Sequence, residues 1–230
     1  MQTLYFATSS DVKLKQYKAI FKSLNFDIAQ GTVIDNTLIE PQYDPESPEG
    51  ISSLVAHPLR LAARFISKKK QVPYMIEDTM LIIDEFSKKF ELDIGLPGAD
   101  TKNWWLNLGA EGIIELLKNR TNRKAKFVCQ IGAYIGGSKY VFASGYTEGL
   151  ISQKPAISEI AELEFPYSNP YFFHQIFIPN GMTKTMGELG AKEFSEVDYR
   201  RKCARNFVTE LAKVDYENIN NSEQFDLFEG

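Results

Sequence analysis

Cysteine is scarce in this 230-residue chain, which contains only Cys129 and Cys203. The two lie far apart in the sequence and have none of the short spacings that bind zinc. Their scarcity excludes a disulfide-stabilised secreted scaffold and a cysteine-based metal centre. We therefore expect two reduced, buried thiols in a cytoplasmic protein.

An excess of positive charge is also missing. The chain has 26 Lys and Arg residues against 30 Asp and Glu, which gives a net charge of −4 at pH 7. Nucleic-acid binders normally carry a basic face, so we expect no direct nucleic-acid contact. No apolar run approaches the roughly 20 residues of a membrane span, so we expect no membrane contact either. Residues 1–6 lack the basic start of a signal peptide and predict a strand instead.

Strand-like and helix-like segments alternate along the chain, which favours an α/β fold. No internal repeat or low-complexity linker divides it. We predict one domain over residues 1–214, followed by an acidic, flexible tail at 215–230. Predicted helices lie near 12–24, 51–69, 104–118 and 200–214, with strands near 3–7 and 32–39 and an antiparallel pair at 126–135 and 139–146.

The most informative stretch is Glu77-Asp78-Thr79, which sets two carboxylates and a hydroxyl between apolar runs at 74–76 and 80–83. We predict two core strands here, with the acids held between them. Carboxylates beside a core lose hydration, which is costly unless a cation or a donor compensates them. Mg²⁺ prefers oxygen ligands and often uses one or two carboxylates plus substrate phosphates. A metal site is one interpretation, and a structural acid pair at a strand end is the other.

The turn Thr8-Ser9-Ser10 is a second candidate site. It joins a predicted strand to a predicted helix, so free backbone N–H groups and the helix dipole converge there and favour an anion. Lys13, one turn into the helix, is placed to reach a bound phosphate. The alternative is an ordinary capped helix with a solvated lysine.

Two further segments are weaker candidates. Glu40 ends the strand near 32–39 and would join Asp78 around one metal ion if their strands are neighbours. Gly95-Leu96-Pro97-Gly98 predicts a tight turn with unusual backbone angles. Trp104 and Trp105 follow it at helical spacing, and we interpret them as core or dimer-interface residues.

A series of short motifs runs through nearly the whole chain. They are Ala7-Thr8 with Lys13, Glu40-Pro41-Gln42, Glu77-Asp78-Thr79, Gly95-Leu96-Pro97-Gly98, Lys126-Phe127-Val128-Cys129, Gly145-Tyr146-Thr147-Glu148-Gly149, Phe177-Ile178-Pro179-Asn180-Gly181, Glu188-Leu189 and Arg200. In this order and spacing, from residue 2 to about 213, the chain resembles the inosine triphosphate pyrophosphatase family. The resemblance implies a long curved mixed β-sheet flanked by helices in two lobes, with a central cleft and usually a homodimer. It also implies hydrolysis of a non-canonical purine nucleoside triphosphate, such as ITP, dITP or XTP, to the monophosphate and pyrophosphate.

The resemblance implies roles at the phosphate end of the substrate. Glu40 and Asp78 would hold Mg²⁺, or Mn²⁺, at the triphosphate, and Asp78 or Glu77 would orient or deprotonate the attacking water. The implied phosphate-binding residues are Thr8, Ser9, Ser10, Lys13 and Arg60. Such chemistry depends on positioning and charge neutralisation more than on covalent catalysis.

The segments that bind the base in this family differ most in this chain. The family's Gly-aromatic-Gly-aromatic-Asp-Pro aligns with residues 170–175, and its Ser-His-Arg aligns with residues 198–200. The phosphate turn differs too, since Ser9-Ser10 replaces the family's Gly-Asn. Aromatic residues remain at Tyr171 and Phe173, and His174 stands where the family has aspartate. The implied base-binding residues are Tyr171, Phe173, His174, Asp198, Tyr199 and Arg200. For His174, a packed histidine bonded to the backbone is the alternative.

Three interpretations of these differences stay open. The chain is an active pyrophosphatase with a changed base preference, or a binding-only nucleotide sensor in a signalling or defence complex. The third is that the alignment of its last third is shifted by a few residues. We favour the first because Lys13, Glu40, Glu77 and Asp78 are all present.

The predicted tail has its own candidate motif. Residues 215–230 carry five acidic residues and no Lys or Arg. The tail contains Gln224-Phe225-Asp226-Leu227-Phe228, which resembles the short motif by which bacterial proteins dock on the DNA polymerase sliding clamp. Apolar residues on a free segment favour a docking role. The alternative is that they fold back on the domain or pair with a partner subunit.

Overall fold

A mixed β-sheet organises the part of the chain that the structure describes. The structure is a computed structural model, and it describes residues 4–8, 10–25, 28–30, 73–87, 96–98, 100–136 and 139–214. The strands are β1 Leu4–Phe6, β2 Ile28–Gln30, β3 Tyr74–Ile83, β4 Leu96–Gly98, β5 Lys124–Gly136, β6 Lys139–Ile151 and β7 Phe177–Pro179. Within those ranges they form one sheet in the order β2-β1-β3-β5-β6-β7, with β4 paired to β3. Strand β1 runs parallel to β2 and β3, and the other pairs are antiparallel.

Helices pack around this sheet. They are α1 Asp11–Ser23, α2 Asp84–Ser87, α3 Thr101–Leu116, α4 Glu159–Leu163, α5 Ala191–Val197 and α6 Tyr199–Ala212, with short 3-10 helices at Phe172–Gln175 and Met186–Glu188. The helices predicted near 12–24, 104–118 and 200–214 correspond to α1, α3 and α6. The predicted antiparallel pair corresponds to β5 and β6. None of the helices in the described ranges has the length and apolar character that crossing a membrane requires.

Some of the predicted elements and site residues lie outside the described ranges. They are Ser9, Glu40, Arg60, the strand near 32–39, the helix near 51–69 and the tail at 215–230. Their roles stay predictions, as do the homodimer, the cytoplasmic location and the partner of the tail.

The acidic triplet lies inside a single strand. The prediction of two core strands around it was wrong, because β3 runs without a break from Tyr74 to Ile83. Glu77 pairs with Ile131 of β5, and Thr79 pairs with Cys129. Successive side chains of a strand point to opposite faces of the sheet. Glu77 and Thr79 therefore share one face, and Asp78 belongs to the other.

Helices α1 and α6 cover the face of the sheet that carries Glu77. Aromatic rings fill much of the space between them: Phe6 meets Tyr17 with centroids 5.1 Å apart, and Phe21 meets Phe207 at 6.1 Å. All four side chains are fully buried. Burial of this apolar surface is the main stabilising contribution at this layer. It also means that Glu77 lies beneath two helices rather than at the surface.

A glycine lets α6 lie directly on β6. A Cβ atom added to Gly145 would lie 2.3 Å from the backbone N of Cys203 and 2.7 Å from the carbonyl oxygen of Tyr199. No side chain fits in that space, so glycine is required by close approach rather than by an unusual backbone angle. The contact fixes the first turn of α6, and with it Tyr199 and Arg200, over the sheet.

Candidate active site

Glu77 is the centre of a buried charge cluster. Its carboxylate lies 3.0 Å from the ammonium of Lys13 and 3.7 Å from Nε of Arg200, and its side chain is 0% exposed. The hydroxyl of Thr79 donates a hydrogen bond to the same carboxylate. Burial acts to raise the pKa of Glu77, but the charges of Lys13 and Arg200 outweigh it and hold the pKa below its usual range. Glu77 is therefore an ionised counter-ion for two cations.

The structure places Glu77, a predicted catalytic residue, away from solvent. A carboxylate that orients or deprotonates water must reach that water. The Glu77 side chain has no exposed surface and lies between two cations and a hydroxyl donor. Its function in this arrangement is to hold Lys13 and Arg200 in place.

Lys13 links the buried cluster to the surface. Its side chain is 28% exposed while its ammonium contacts Glu77. Burial acts to lower the pKa of Lys13, yet the negative charges of Glu77 and Asp78 raise it above its usual value. The ammonium is thus charged at neutral pH and held by a buried partner. A cation fixed in this way suits a phosphate group.

The turn before α1 is organised by its own hydroxyl groups. The N–H of Ser10 donates to Oγ1 of Thr8 at 3.1 Å. The hydroxyl oxygen of Ser10 accepts from the N–H of Lys13 at 3.3 Å and caps the helix. Both predicted phosphate-binding hydroxyls therefore shape the helix start, where the dipole favours an anion.

Asp78 occupies the opposite side of β3 from Glu77. It is half-buried, and its Oδ1 accepts the N–H of Thr79 at 2.8 Å. Its charge contributes to the raised pKa of Lys13, so the two lie within electrostatic reach. Among the described residues no group of three or more His, Cys, Asp or Glu side chains is arranged to hold a metal ion. Glu40, the predicted second ligand, lies outside those residues.

Arg200 belongs to the acidic cluster. Besides its contact with Glu77, its Nη1 donates to Oε1 of Gln16 at 3.3 Å. Its guanidinium lies 5.0 Å from the centre of the Tyr199 ring. Burial acts against its charge, but the neighbouring Tyr199 and Glu77 raise its pKa above the usual value. The structure thus places Arg200, a predicted base-binding residue, against the buried carboxylate of Glu77.

The side chains of His174 and Tyr199 are hydrogen-bonded to each other. Nε2 of His174 lies 2.8 Å from the hydroxyl of Tyr199, and Nδ1 lies 2.8 Å from the carbonyl oxygen of Asn169. Because a carbonyl only accepts, Nδ1 carries the proton and Nε2 accepts from Tyr199. Burial and the nearby Arg200 lower the pKa of His174 to about 3. The histidine is neutral and packed, which was the alternative interpretation in the sequence.

The remaining predicted base-binding residues divide into buried and exposed ones. Asp198 is buried and caps α6, with its Oδ1 accepting the N–H of Arg200 at 2.9 Å. Phe173 is buried against Trp105, with ring centroids 5.0 Å apart. Tyr171 keeps 39% of its surface exposed. Of the six residues, Tyr171 is the one with a substantially open aromatic face.

Residues for which the sequence predicted no role in the site also build this region. Gln16 holds Arg200, and Trp105 packs on the loop at 169–175. Phe127 stacks on Tyr199 at 4.6 Å and meets His174 at 5.3 Å. Gln16 lies on the apolar face of a predicted helix, which is a usable signal for a buried polar contact.

The family that the motif order indicates is supported by a match to a family model. A model described as the Ham1 family matches residues 4–210 of this chain. The chain belongs to the Ham1 family. The match spans the acidic strand, the Lys13 turn, the loop at 169–175 and the first turns of α6, where Tyr199 and Arg200 lie.

Relatives of this Ham1 chain share about a quarter of its residues. A protein of Pyrococcus horikoshii named dITP/XTP pyrophosphatase is 26% identical over 204 residues, which is 89% of this chain and 94% of the relative. A protein of Aquifex aeolicus with the same name is 25% identical over 213 residues, covering 89% and 94% of the two chains. The resemblance inferred from the motifs is confirmed.

Solved structures agree with the fold. The Ham1 protein of Staphylococcus aureus gives a TM-score of 0.67 at 18% identity, covering 92% of this chain and 98% of that one. A HAM1 protein of Coxiella burnetii gives 0.65 at 17% identity, covering 93% and 100%. The predicted α/β class with a mixed sheet flanked by helices is confirmed.

Proposed function

We propose that this Ham1 chain hydrolyses a non-canonical purine nucleoside triphosphate, of the ITP, dITP or XTP type, to the monophosphate and pyrophosphate. The names of the relatives support this reaction, because the alignments with them cover most of both chains. The observation that supports it most strongly is the charge arrangement on β3. Asp78 is half-buried on one face, while Glu77 on the other face holds Lys13 in a charged state.

Lys13 is the proposed phosphate-binding cation. Phosphoryl transfer is accelerated by fixed charges aimed at the phosphate oxygens, because these need no reorganisation during the reaction. Lys13 meets this requirement through its 3.0 Å contact with Glu77. The start of α1, capped by Ser10, adds backbone N–H groups and a favourable dipole for the same anion.

Asp78 is the proposed carboxylate of the reaction, and Mg²⁺ the proposed cofactor. Asp78 is the candidate Mg²⁺ ligand because it is a half-buried carboxylate, whereas the Glu77 carboxylate is fully buried against Lys13 and Arg200. Asp78, together with Glu40, would hold the ion. When bound, Mg²⁺ neutralises phosphate charge and polarises the bond between the α- and β-phosphates. Asp78 would also orient the attacking water and accept its proton.

The test is pyrophosphate release by the purified chain with Mg²⁺ and each of ITP, dITP, XTP, GTP and ATP. We expect one non-canonical purine triphosphate to be preferred and Asp78→Asn to reduce its turnover at least 100-fold, as loss of a general base does. The matched control is Asp100→Asn, which keeps the side-chain oxygen that accepts from Asn103. The proposal fails if Asp78→Asn and Asp100→Asn behave alike.

A nucleotide sensor without turnover is the second candidate function. It is favoured by one observation: His174 hydrogen-bonds to the hydroxyl of Tyr199 and to the backbone carbonyl of Asn169. Neither offers the base the hydrogen bonds that the family resemblance implied. Tight binding of a purine triphosphate without pyrophosphate release would support the sensor and refute the enzyme.

A further inference from the structure

The backbone of the loop at 169–175 contains an unusual residue. Phe172 has a φ of +55°, in the left-handed region that favours glycine. Its ring is 50% exposed, so burial compensates little of the conformational cost. Bulky residues persist in such conformations where the surrounding structure fixes them, and they cluster at functional sites.

The loop around Phe172 is held at several points. The N–H of Tyr171 donates to Oδ1 of Asn169 at 3.0 Å, and His174 bonds the carbonyl of the same residue. Trp105 packs against Phe173 and lies in a T-shaped arrangement with the Phe172 ring, with centroids 6.1 Å apart. These anchors lie on both sides of Phe172.

The loop lies on the same face of the sheet as the charge cluster. His174 contacts Phe127, which pairs with Leu81 on β3. Leu81 is four residues beyond Glu77 on that strand, a distance of about 13 Å at the rise of a β-strand. The register therefore places the loop near the Leu81 end of β3, while Lys13 contacts Glu77 farther along the same strand.

We propose that Phe172 is a specificity-determining residue that stacks on the purine base together with Tyr171. The two residues are neighbours in the sequence and are 50% and 39% exposed, and each ring has its own edge-to-face contact, Phe172 with Trp105 and Tyr171 with Phe165. The inference rests on the proposed function and extends it. A planar base fits an exposed aromatic pair because stacking needs a flat apolar face and no hydrogen-bond donor. The family pattern has glycine at this position, so the second ring is a feature of this chain.

The decisive variant is Phe172→Gly, because glycine adopts the left-handed conformation without strain. We expect its thermal stability to equal or exceed that of the wild type. Its dissociation constant for a non-hydrolysable α,β-imido analogue of ITP should rise about tenfold, the loss expected from one base–aromatic stack. Binding of inorganic tripolyphosphate, which has no base, should be unchanged. Both constants are measured by isothermal titration calorimetry.

A pair of matched variants separates aromatic character from bulk. Phe172→Leu keeps an apolar side chain and should still weaken binding of the analogue. Tyr146→Leu removes a ring of similar exposure, 59%, on strand β6 and should leave binding unchanged. The inference is overturned if Phe172→Gly binds the analogue as tightly as the wild type, or if tripolyphosphate binding weakens equally. It is also overturned if the wild type binds no analogue.

The inference and the proposed function can fail separately. If the wild type releases no pyrophosphate but its binding of the analogue depends on Phe172, the proposed hydrolysis is wrong and the base contact stands. If hydrolysis proceeds and Phe172→Gly changes neither KM nor analogue binding, the base contact is wrong and the enzyme stands.

Discussion

Arg200 contacts Glu77 with 3.7 Å between Nε and Oε1, although the two residues are far apart in the sequence. The preceding residue, Tyr199, donates its hydroxyl to His174 at 2.8 Å. The first turn of α6 therefore joins the acidic cluster on β3 to the loop at 169–175. We expect changes in this turn to affect both ends of the proposed site.

Glu77→Gln tests the importance of the buried counter-ion. The substitution keeps the shape of the side chain but leaves Lys13 and Arg200 without a negative partner below the surface. Removing one partner of a buried ion pair costs about 3–5 kcal/mol, because the remaining charge is not compensated. We expect a loss of this size in the free energy of unfolding, measured by urea denaturation at pH 7.

The matched control is Glu85→Gln. Glu85 pairs with Arg120 at 3.5 Å, but the Arg120 side chain is 59% exposed. An exposed ion pair contributes about 0–1 kcal/mol. Similar losses in the free energy of unfolding of the two variants would show that Glu77 is not a buried counter-ion for Lys13 and Arg200.

Local patterns in the sequence were sufficient to predict much of the fold. The apolar spacing of Leu14, Tyr17, Ile20 and Phe21 predicted α1, and these side chains are buried as expected. The antiparallel pair β5 and β6 was predicted from two apolar runs around a glycine turn. Both features depend on residues close in the sequence, where the periods of helix and strand are readable.

Contacts between distant segments could not be predicted in the same way. The acids at 77 and 78 suggested an interruption between two strands, because an unpaired carboxylate is costly inside one. The cations that make Glu77 acceptable come from α1 and α6, and their approach is not visible in the local sequence. The motif order aligned Phe173 and His174 with the base-binding loop of the family, but it could not show that both side chains are buried.

Gly145→Ala tests the close contact between β6 and α6. The added methyl group would lie 2.3 Å from the backbone N of Cys203, so the helix must move. Overpacking of this kind typically costs about 1–3 kcal/mol. Because Tyr199 and Arg200 lie in the same turn, we expect pyrophosphate release to fall as well. Urea denaturation and a turnover assay on the folded variant measure the two effects.

Ser144→Ala is the control for this prediction. Ser144 is the neighbouring residue of β6, and its side chain is exposed. A surface substitution of this type changes stability by no more than about 0.5 kcal/mol. If Gly145→Ala changes the free energy of unfolding no more than Ser144→Ala does, α6 accommodates the added methyl group and the close contact with β6 is wrong.

His174 makes the free energy of unfolding depend on pH. Its pKa falls from the ordinary value of 6.5 to about 3 in the folded state, mainly because of burial. Between these values the unfolded state binds the proton and the folded state does not. The contribution of His174 to stability is therefore fully present above pH 6.5 and is lost as the pH falls toward 3. Between pH 7 and pH 5 the loss should be about 2 kcal/mol.

The comparison that isolates this effect is the wild type against His174→Gln, with urea denaturation at pH 7, 6 and 5. Glutamine does not titrate, so the variant should lose about 2 kcal/mol less than the wild type over this range, whatever its stability at pH 7. His57 is present in both proteins and its contribution cancels. The acidic cluster does not interfere, since the pKa of Glu77 is held below its usual range by Lys13 and Arg200. Equal pH slopes in the two proteins would mean that His174 can be protonated in the folded state, and the hydrogen bond from Tyr199 to Nε2 would then be wrong.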